Sequence, residues 1–442
     1  MICIFCFISQ ALADVTLPKI IGDNMVIQQD QPVNIWGWAE PGEAVEVGIG
    51  DETATTKADE TGNWHVVLPA MKADGSEHTL TVVGKNKITL KNILVGEVWL
   101  GSGQSNMAWS VKASKDSAKE IAAATHPQIR LFLVPRAKSA SPAKDTVGGA
   151  WQECSPETVP AFSAAAYFFA RKLQQELKVP VGIIASSWGG TRIEPWTPTN
   201  GKDAVLYNAM IHPLAPFSLR GFIWYQGESN VLSLAGLNYF NMKKQLIEDW
   251  RKAWSNDKLS FNFVHIAPWS GRYGEGELPK LWEAQTRSLS LPCTGMAVIT
   301  DAVDNISDIH PKSKQVVGQR LALWALAKNY GKEIVYSGPL YKAMKINGDK
   351  VRLEFAHASG GLASRDGKEL NEFTIAGSDG KFVPAKAKID GDSVVVTAEG
   401  VAEPKAVRFG WHKIANPNLI NKAGLPAAPF HTRGLEAGEE LA

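Results

Sequence analysis

Ser105 stands in Gly101-Ser102-Gly103-Gln104-Ser105-Asn106-Met107, directly after the apolar run Glu97-Val98-Trp99-Leu100. Small residues on both sides permit a tight strand-to-helix turn. Such a turn presents a hydroxyl at the strand tip, beside backbone N–H groups able to bind an oxyanion. No Lys follows as a Walker loop requires, which weakens a phosphate-cradle reading and leaves a nucleophile or a plain loop. A serine nucleophile needs a base. Of nine histidines, His310 in Ser307-Asp308-Ile309-His310-Pro311 is the best placed, after the last apolar strand and just before a helical pattern. A carboxylate within three residues would orient its imidazole. His212, in Ile211-His212-Pro213, reads as structural.

Two further polar segments follow apolar strands. Ser186-Ser187-Trp188-Gly189-Gly190-Thr191 offers unhindered backbone N–H donors. Trp224-Tyr225-Gln226-Gly227-Glu228-Ser229-Asn230 offers an amide and a carboxylate. Each is weak alone; four polar loops at successive strand tips are harder to dismiss. Glu228 paired with an Asp would suit a glycoside hydrolase, but leaves Ser105 unexplained. A non-catalytic sugar-binding protein is the other rival. No His/Cys/Asp cluster has metal-ligand spacing, so neither a metal nor a cofactor is expected.

The elements that must position these loops fall into three zones. From Val15 to about Leu94 short β segments (Val33–Trp36, Ala44–Val47, Trp64–Leu68, His78–Val82) alternate with Gly- and Asp-rich turns, as in a small antiparallel sandwich. From about Val95 to Gly331, apolar strands at Glu97–Leu100, Val181–Ala185, Gly221–Tyr225, Phe261–Ile266 and Met296–Ile299 alternate with helical patterns. The clearest helices are expected at Ala164–Leu177, Tyr239–Trp254 and Lys312–Asn329. That texture marks an α/β fold with a parallel sheet covered on both faces, its chemistry beyond the carboxyl ends of the strands. After about Ile334 β texture returns at Val351–Phe355, Ser393–Thr397 and Ala406–Phe409. Asn347-Gly348 and Asp390-Gly391-Asp392 mark hairpins. The expected division is therefore 14–94, 95–333 and 334–442.

Residues 1–13 read as a signal peptide: Ile2 to Ile8 is apolar and Ala11-Leu12-Ala13 fits a small-x-small cleavage site, although no basic residue follows Met1. The run is far short of the ~20 residues that span a bilayer. Export to a periplasm or the exterior is the expectation, and a buried N-terminal strand the alternative. Cys3 and Cys6 would leave with the leader; Cys154 and Cys293 remain, as a disulfide or as two thiols. A net charge of +1, without a block of Lys or Arg, argues against nucleic-acid or anionic-membrane partners. Fifteen Trp suit sugar stacking and large cores equally.

Gly103-Gln104-Ser105-Asn106-Met107, Trp188-Gly189-Gly190-Thr191, Trp224 to Asn230 and Asp308-Ile309-His310-Pro311, in that order, resemble the sialate O-acetylesterases of the SGNH hydrolase superfamily. More distantly they resemble the acetylxylan esterases of carbohydrate esterase family 6. Asn24-Met25-Val26-Ile27-Gln28, Trp36-Gly37 and Asn418 to Ala427 extend the likeness over nearly the whole chain. The resemblance implies a flavodoxin-like three-layer core flanked by β modules, hydrolysing acetyl esters on sugars. It makes Ser105 the nucleophile and His310 the base. The oxyanion donors would be the N–H of Ser105, an N–H of Gly189 or Gly190, and the Gln226 side chain. The superfamily's acid lies three residues before the histidine; here that residue is Ser307. Asp308 is the first choice, with Asp301, Asp304 or a plain Ser-His dyad as alternatives. Arg192 would clamp a substrate carboxylate or pair with Glu194 or Glu228. Glu228 itself is a candidate substrate contact, and Trp188 and Trp269 are candidate sugar platforms or core.

Overall fold

Strand β1 (Lys87–Gly103) runs for seventeen residues from the N-terminal β region into the centre of the α/β core. Its first half pairs antiparallel with His78–Val83. Further on it pairs in parallel with Val26–Gln28. In the computed structural model, which describes residues 14–358 and 360–432, both regions therefore belong to one sheet. The apolar leader and its Ala11-Leu12-Ala13 pattern lie outside the described residues.

The core sheet adds β2 (His126–Leu133), β3 (Trp151–Cys154), β4 (Val181–Ser187), β5 (Gly221–Tyr225), β6 (Ser260–His265) and β7 (Thr294–Val298). Its order is β7-β6-β5-β1-β4-β2-β3. All neighbours are parallel except the edge strand β3, which runs antiparallel to β2. β5 shows why the sheet is closed on both faces, because all five of its residues are buried. Phe222 and Trp224 pack edge-on to Trp250 of α4 (Tyr239–Ala253) on one face. Ile223 lies with Gly101 on the face of α2 (Ala164–Leu177), near Ala166. Helix α6 (Lys314–Lys328) packs on α2, and α5 (Glu277–Arg287) on α4. The result is the expected three-layer α/β core.

Four of the five apolar strands and the three long helices fall within two residues of their expected positions, whereas the strand expected at Glu97–Leu100 is only the inner part of the seventeen-residue β1. Strands β2 and β3 were not foreseen. β2 opens on the polar His126-Pro127-Gln128, and the edge strand β3 buries only Trp151 and Cys154, so neither carries a continuous apolar signal. Abundant Trp serves the core first: Trp99, Trp196, Trp224, Trp250 and Trp282 are fully buried. Cys154 and Cys293 are unpaired, one buried and one exposed.

The C-terminal region builds its own core around Leu353, Val394, Val407 and Phe409. It contains two four-stranded antiparallel sheets. Both expected hairpins are present, joining Asn347 to Lys350 and Asp390 to Ser393.

One glycine decides how β1 ends. Gly103 has φ 138°, and a Cβ there would overlap the Tyr225 carbonyl oxygen of β5. Gly103→Ala should therefore cost about 3 kcal/mol or more, read as a lowered urea midpoint.

Candidate active site

Ser105 opens the short helix α1 (Ser105–Ala108), two residues past the end of β1. Its Oγ lies 3.0 Å from His310 Nε2, a hydrogen bond between residues 205 positions apart. Ser163 fixes the far end of α1. Its Oγ donates to the Met107 carbonyl at 2.6 Å and caps α2 by accepting from Ala166 N–H at 3.2 Å. His310 sits in the loop between β7 and α6, with its ring stacked on Trp109 at 4.7 Å and 18°. The structure thus joins the two residues singled out by type and position. His212 plays the structural part, its Nδ1 lying 3.1 Å from the Ala143 carbonyl.

Three carboxylates were in question for His310, and the structure separates them. Asp301 is taken by Arg320 in a two-pronged pair at 2.5 and 2.7 Å. Asp304 accepts the Lys312 N–H at 3.0 Å. Asp308 accepts the His310 N–H at 2.9 Å, and the same oxygen lies 3.4 Å from ring Nδ1. Asp308 is therefore the carboxylate at the ring, reached by folding back over a two-residue turn. The contact is long and half exposed, so its pull on the imidazole is modest. Burial outweighs it and pushes the His310 pKa below its ordinary 6.5; Asp308 opposes this and Lys314 adds to it.

Beyond β4, Trp188 N–H donates to the Gly103 carbonyl at 3.1 Å, placing the Gly-Gly loop beside Ser105. A Cβ on Gly189 would stand 3.3 Å from that of Ser105. Among the described residues no protein group accepts the N–H of Ser105 or Gly189, so both are available to an anion. Gly190 lies further out and is exposed. Gln226 occupies a different role from the one expected. It is fully buried, and its Nε2 faces Asn230 Oδ1 at 2.7 Å, Gln104 Oε1 at 3.1 Å and the Thr191 carbonyl at 3.2 Å. Two N–H groups shared among three acceptors leave none free, so the amide braces three strand-tip loops.

Glu228 requires a correction. As a substrate contact it would have to reach solvent, yet it is 2% exposed. Its Oε1 accepts from Nδ2 of Asn106, the residue after Ser105, at 2.5 Å. The same burial removes it as a glycosidase carboxylate. Arg192 does face solvent, with 54% of its side chain exposed and only a 3.5 Å approach to Glu194. Trp188 and Trp269 are both partly exposed. Trp269 is held by the third zone of the chain. Its N–H donates to the Lys413 carbonyl at 2.8 Å, and its Nε1 to the Ser307 carbonyl at 3.1 Å. Lys413 Nζ in turn donates to the carbonyls of Gly271 and Tyr273. The C-terminal region thus supports the loop that carries Asp308 and His310.

Trp109 and Lys314 escaped the sequence reading. Trp109 follows Ser105 by four residues, but nothing linear places it on an imidazole. Lys314, first residue of α6, is fully buried where a helix-opening lysine ordinarily faces water. Among the described residues no group of three His, Cys, Asp or Glu side chains is arranged to hold a metal ion.

With this geometry established, comparison with known proteins is informative. The family model described as carbohydrate esterase, sialic acid-specific acetylesterase, matches residues 95–327. The chain belongs to this family. Sialate O-acetylesterase of Homo sapiens is 32% identical over 477 residues, 93% of this chain and 91% of that protein. The Mus musculus enzyme is 31% identical over 412 residues, 73% of this chain and 75% of its own. A crystal structure of a carbohydrate acetylesterase from Xanthomonas citri superposes with a TM-score of 0.91 at 40% identity, covering 95% of this chain and 99% of that one. The protein is accordingly a carboxylic ester hydrolase of the carbohydrate esterase class.

The electrostatics give the esterase a defined pH response. A depressed histidine keeps its basic form to lower pH, so kcat/KM on p-nitrophenyl acetate should fall on acidification with a midpoint below 6.5. Asp308→Asn should move that midpoint lower still. It should also reduce kcat by less than the ~10⁴-fold lost with a buried triad aspartate.

Proposed function

We propose that this esterase removes O-acetyl groups from sugars by serine catalysis, with an O-acetylated sialic acid as the preferred substrate. The observation that carries the reading is the 3.0 Å bond between Ser105 Oγ and His310 Nε2, at the strand tips of a carbohydrate esterase fold. His310 takes the Ser105 proton as Oγ attacks the acetyl carbonyl. The tetrahedral oxyanion turns toward the N–H groups of Ser105 and Gly189, each donor lowering the barrier by about 3 kcal/mol. The protonated imidazole then gives its proton to the departing sugar oxygen, leaving an acetyl ester on Ser105. Water, deprotonated by His310, attacks that ester and releases acetate, restoring both residues.

Arg192 supports the sialic acid choice, because a largely solvated guanidinium beside the Gly-Gly loop suits a carboxylate-bearing sugar. Trp188 and Trp269, partly exposed at the rim, are the proposed faces for the sugar ring. Acetylxylan lacks that carboxylate and is the second candidate. The apolar Ile2–Ile8 run and Ala11-Leu12-Ala13 support an exported protein.

Ser105→Ala should reduce hydrolysis of p-nitrophenyl acetate by about 10⁶-fold, as loss of a nucleophile does elsewhere. Full activity in that variant would end the serine reading. Acetate release should be compared across O-acetylated sialic acids and acetylxylan. Arg192→Ala should raise KM about 10-fold or more for the sialic acids alone, as loss of a charged hydrogen bond would. An equal effect on both substrate classes would remove the carboxylate-clamp role.

A further inference from the structure

The reaction scheme uses neither Lys314 nor Glu228, yet both ionisable groups are buried directly behind it. Lys314 Nζ donates to Asn106 Oδ1 at 2.5 Å. The Nδ2 of that amide donates to Glu228 Oε1 at 2.5 Å and to the Ile309 carbonyl at 3.1 Å. The orientation is chemically determined: the amide oxygen meets the cation and the amide nitrogen meets the anion. Asn106 follows the nucleophile and Ile309 precedes the base. One buried side chain therefore spans the two halves of the reacting pair.

A buried ammonium is costly, and an apolar residue of similar length would fill the space without that cost. The compensation around Lys314 is partial. Besides Asn106 it has the rings of Tyr225 on β5 at 5.0 Å and Trp109 at 6.0 Å. Glu228, which opens α3 (Glu228–Leu232), and the loop residues Asp308 and Asp304 also act on it electrostatically. Glu228 Oε2 has no partner among the described residues.

We propose that Lys314 is a positioning residue for the reaction: through Asn106 it locks the nucleophile turn to the loop of the base, and its charge acts on the imidazole. The proposal rests on the Ser105–His310 reading and deepens it. Asn106 grips the carbonyl side of the Ile309–His310 peptide, while Asp308 accepts the N–H on the other side. The peptide is held at both ends, which fixes the direction from which Nε2 meets Ser105. Lys314 also opposes protonation of His310 across the site, against the pull of Asp308. Burial brings Lys314 down to about 7, so its own charge changes in the neutral range, and burial also moves Glu228 upward.

The test compares Lys314→Met and Glu228→Gln in the full chain, using p-nitrophenyl acetate. Lys314→Met replaces the ammonium by an apolar chain one atom shorter, and Glu228→Gln replaces the carboxyl by an amide of the same length. Lys314→Met should lower kcat about 100-fold through misplacement of the pair, with KM little changed. The acid midpoint of its kcat/KM profile should move to higher pH, because a positive charge near His310 has gone. Glu228→Gln should retain more activity, since the new amide can still accept from Asn106. Its midpoint should stay near that of the wild type, because the charges acting on His310 are those of Asp308 and Lys314. A purely structural role would not raise the midpoint in Lys314→Met while leaving it in place in Glu228→Gln. Wild-type kcat and an unmoved midpoint in Lys314→Met would overturn the proposal. If that variant does not fold, Lys314→Gln decides: a raised midpoint supports the proposal and an unmoved one overturns it. Ser105→Ala separates the two layers, because activity there would remove the serine reading itself. A silent Lys314→Met beside an inactive Ser105→Ala would remove only the role given to Lys314.

Discussion

The hydrogen bond between Ser105 and His310 sets the demand that the rest of the fold meets. Two side chains 205 positions apart are held at 3.0 Å, and the proposed serine mechanism requires one of them to carry a lone pair rather than a proton. Small displacements are expensive in such a pair, since an error of ~1 Å can cost ~100-fold in rate. A parallel sheet answers the demand because its strands all end on the same edge. β1 delivers Ser105 there, and the loop after β7 delivers His310 to the same edge from the far end of the sheet.

Strand ends alone would leave the loops free to drift. Here the loops are tied to one another below the surface by carboxamides. Gln226 bonds to Gln104, Thr191 and Asn230, while Asn230 accepts the Ile193 N–H and donates to Glu194. Asn106 performs the same work between the Ser105 turn and the His310 loop. Each amide offers donors and an acceptor at fixed angles, so a buried network of them specifies one arrangement where apolar packing would tolerate several. The energetic cost is tolerable because the layers beneath are dense with apolar side chains, among them the Phe222, Trp224, Trp250 and Phe261 cluster.

The flanking β regions do more than hang from the core. The N-terminal region shares β1 and is tied in by Glu97, which is 0% exposed. That carboxylate accepts from Arg220, Gln28, Gln29 and Tyr330. The C-terminal region reaches the other end of the molecule through Lys413, which closes two carbonyls of the Trp269 loop. Trp269 and Ser270 then hold the carbonyls of Ser307 and Ile306, the residues leading to Asp308. The loop that carries His310 therefore rests on contacts from a separately cored region.

Much of this was legible in the residues themselves. Continuous apolar runs and helical periodicity placed the central strands and long helices, because a doubly covered sheet demands that pattern. Small residues around Ser105, and a histidine at the last strand tip, singled out two side chains that the fold brings to 3.0 Å. What the linear order could not carry was burial and direction. Glu228, Gln226 and Lys314 are polar residues near strand tips or at a helix start, where solvent contact is the ordinary outcome. Only the crossing of β5, α1 and α6 turned them inward, taking Glu228 from the substrate side and giving Gln226 to the loops. The choice of Asp308 over Asp301 and Asp304 was likewise tertiary: Arg320 on α6 claims one, Lys312 N–H the other, and the remaining carboxylate meets the ring. Residue type determined which groups were capable of the chemistry; the packing of distant segments decided which were free to perform it.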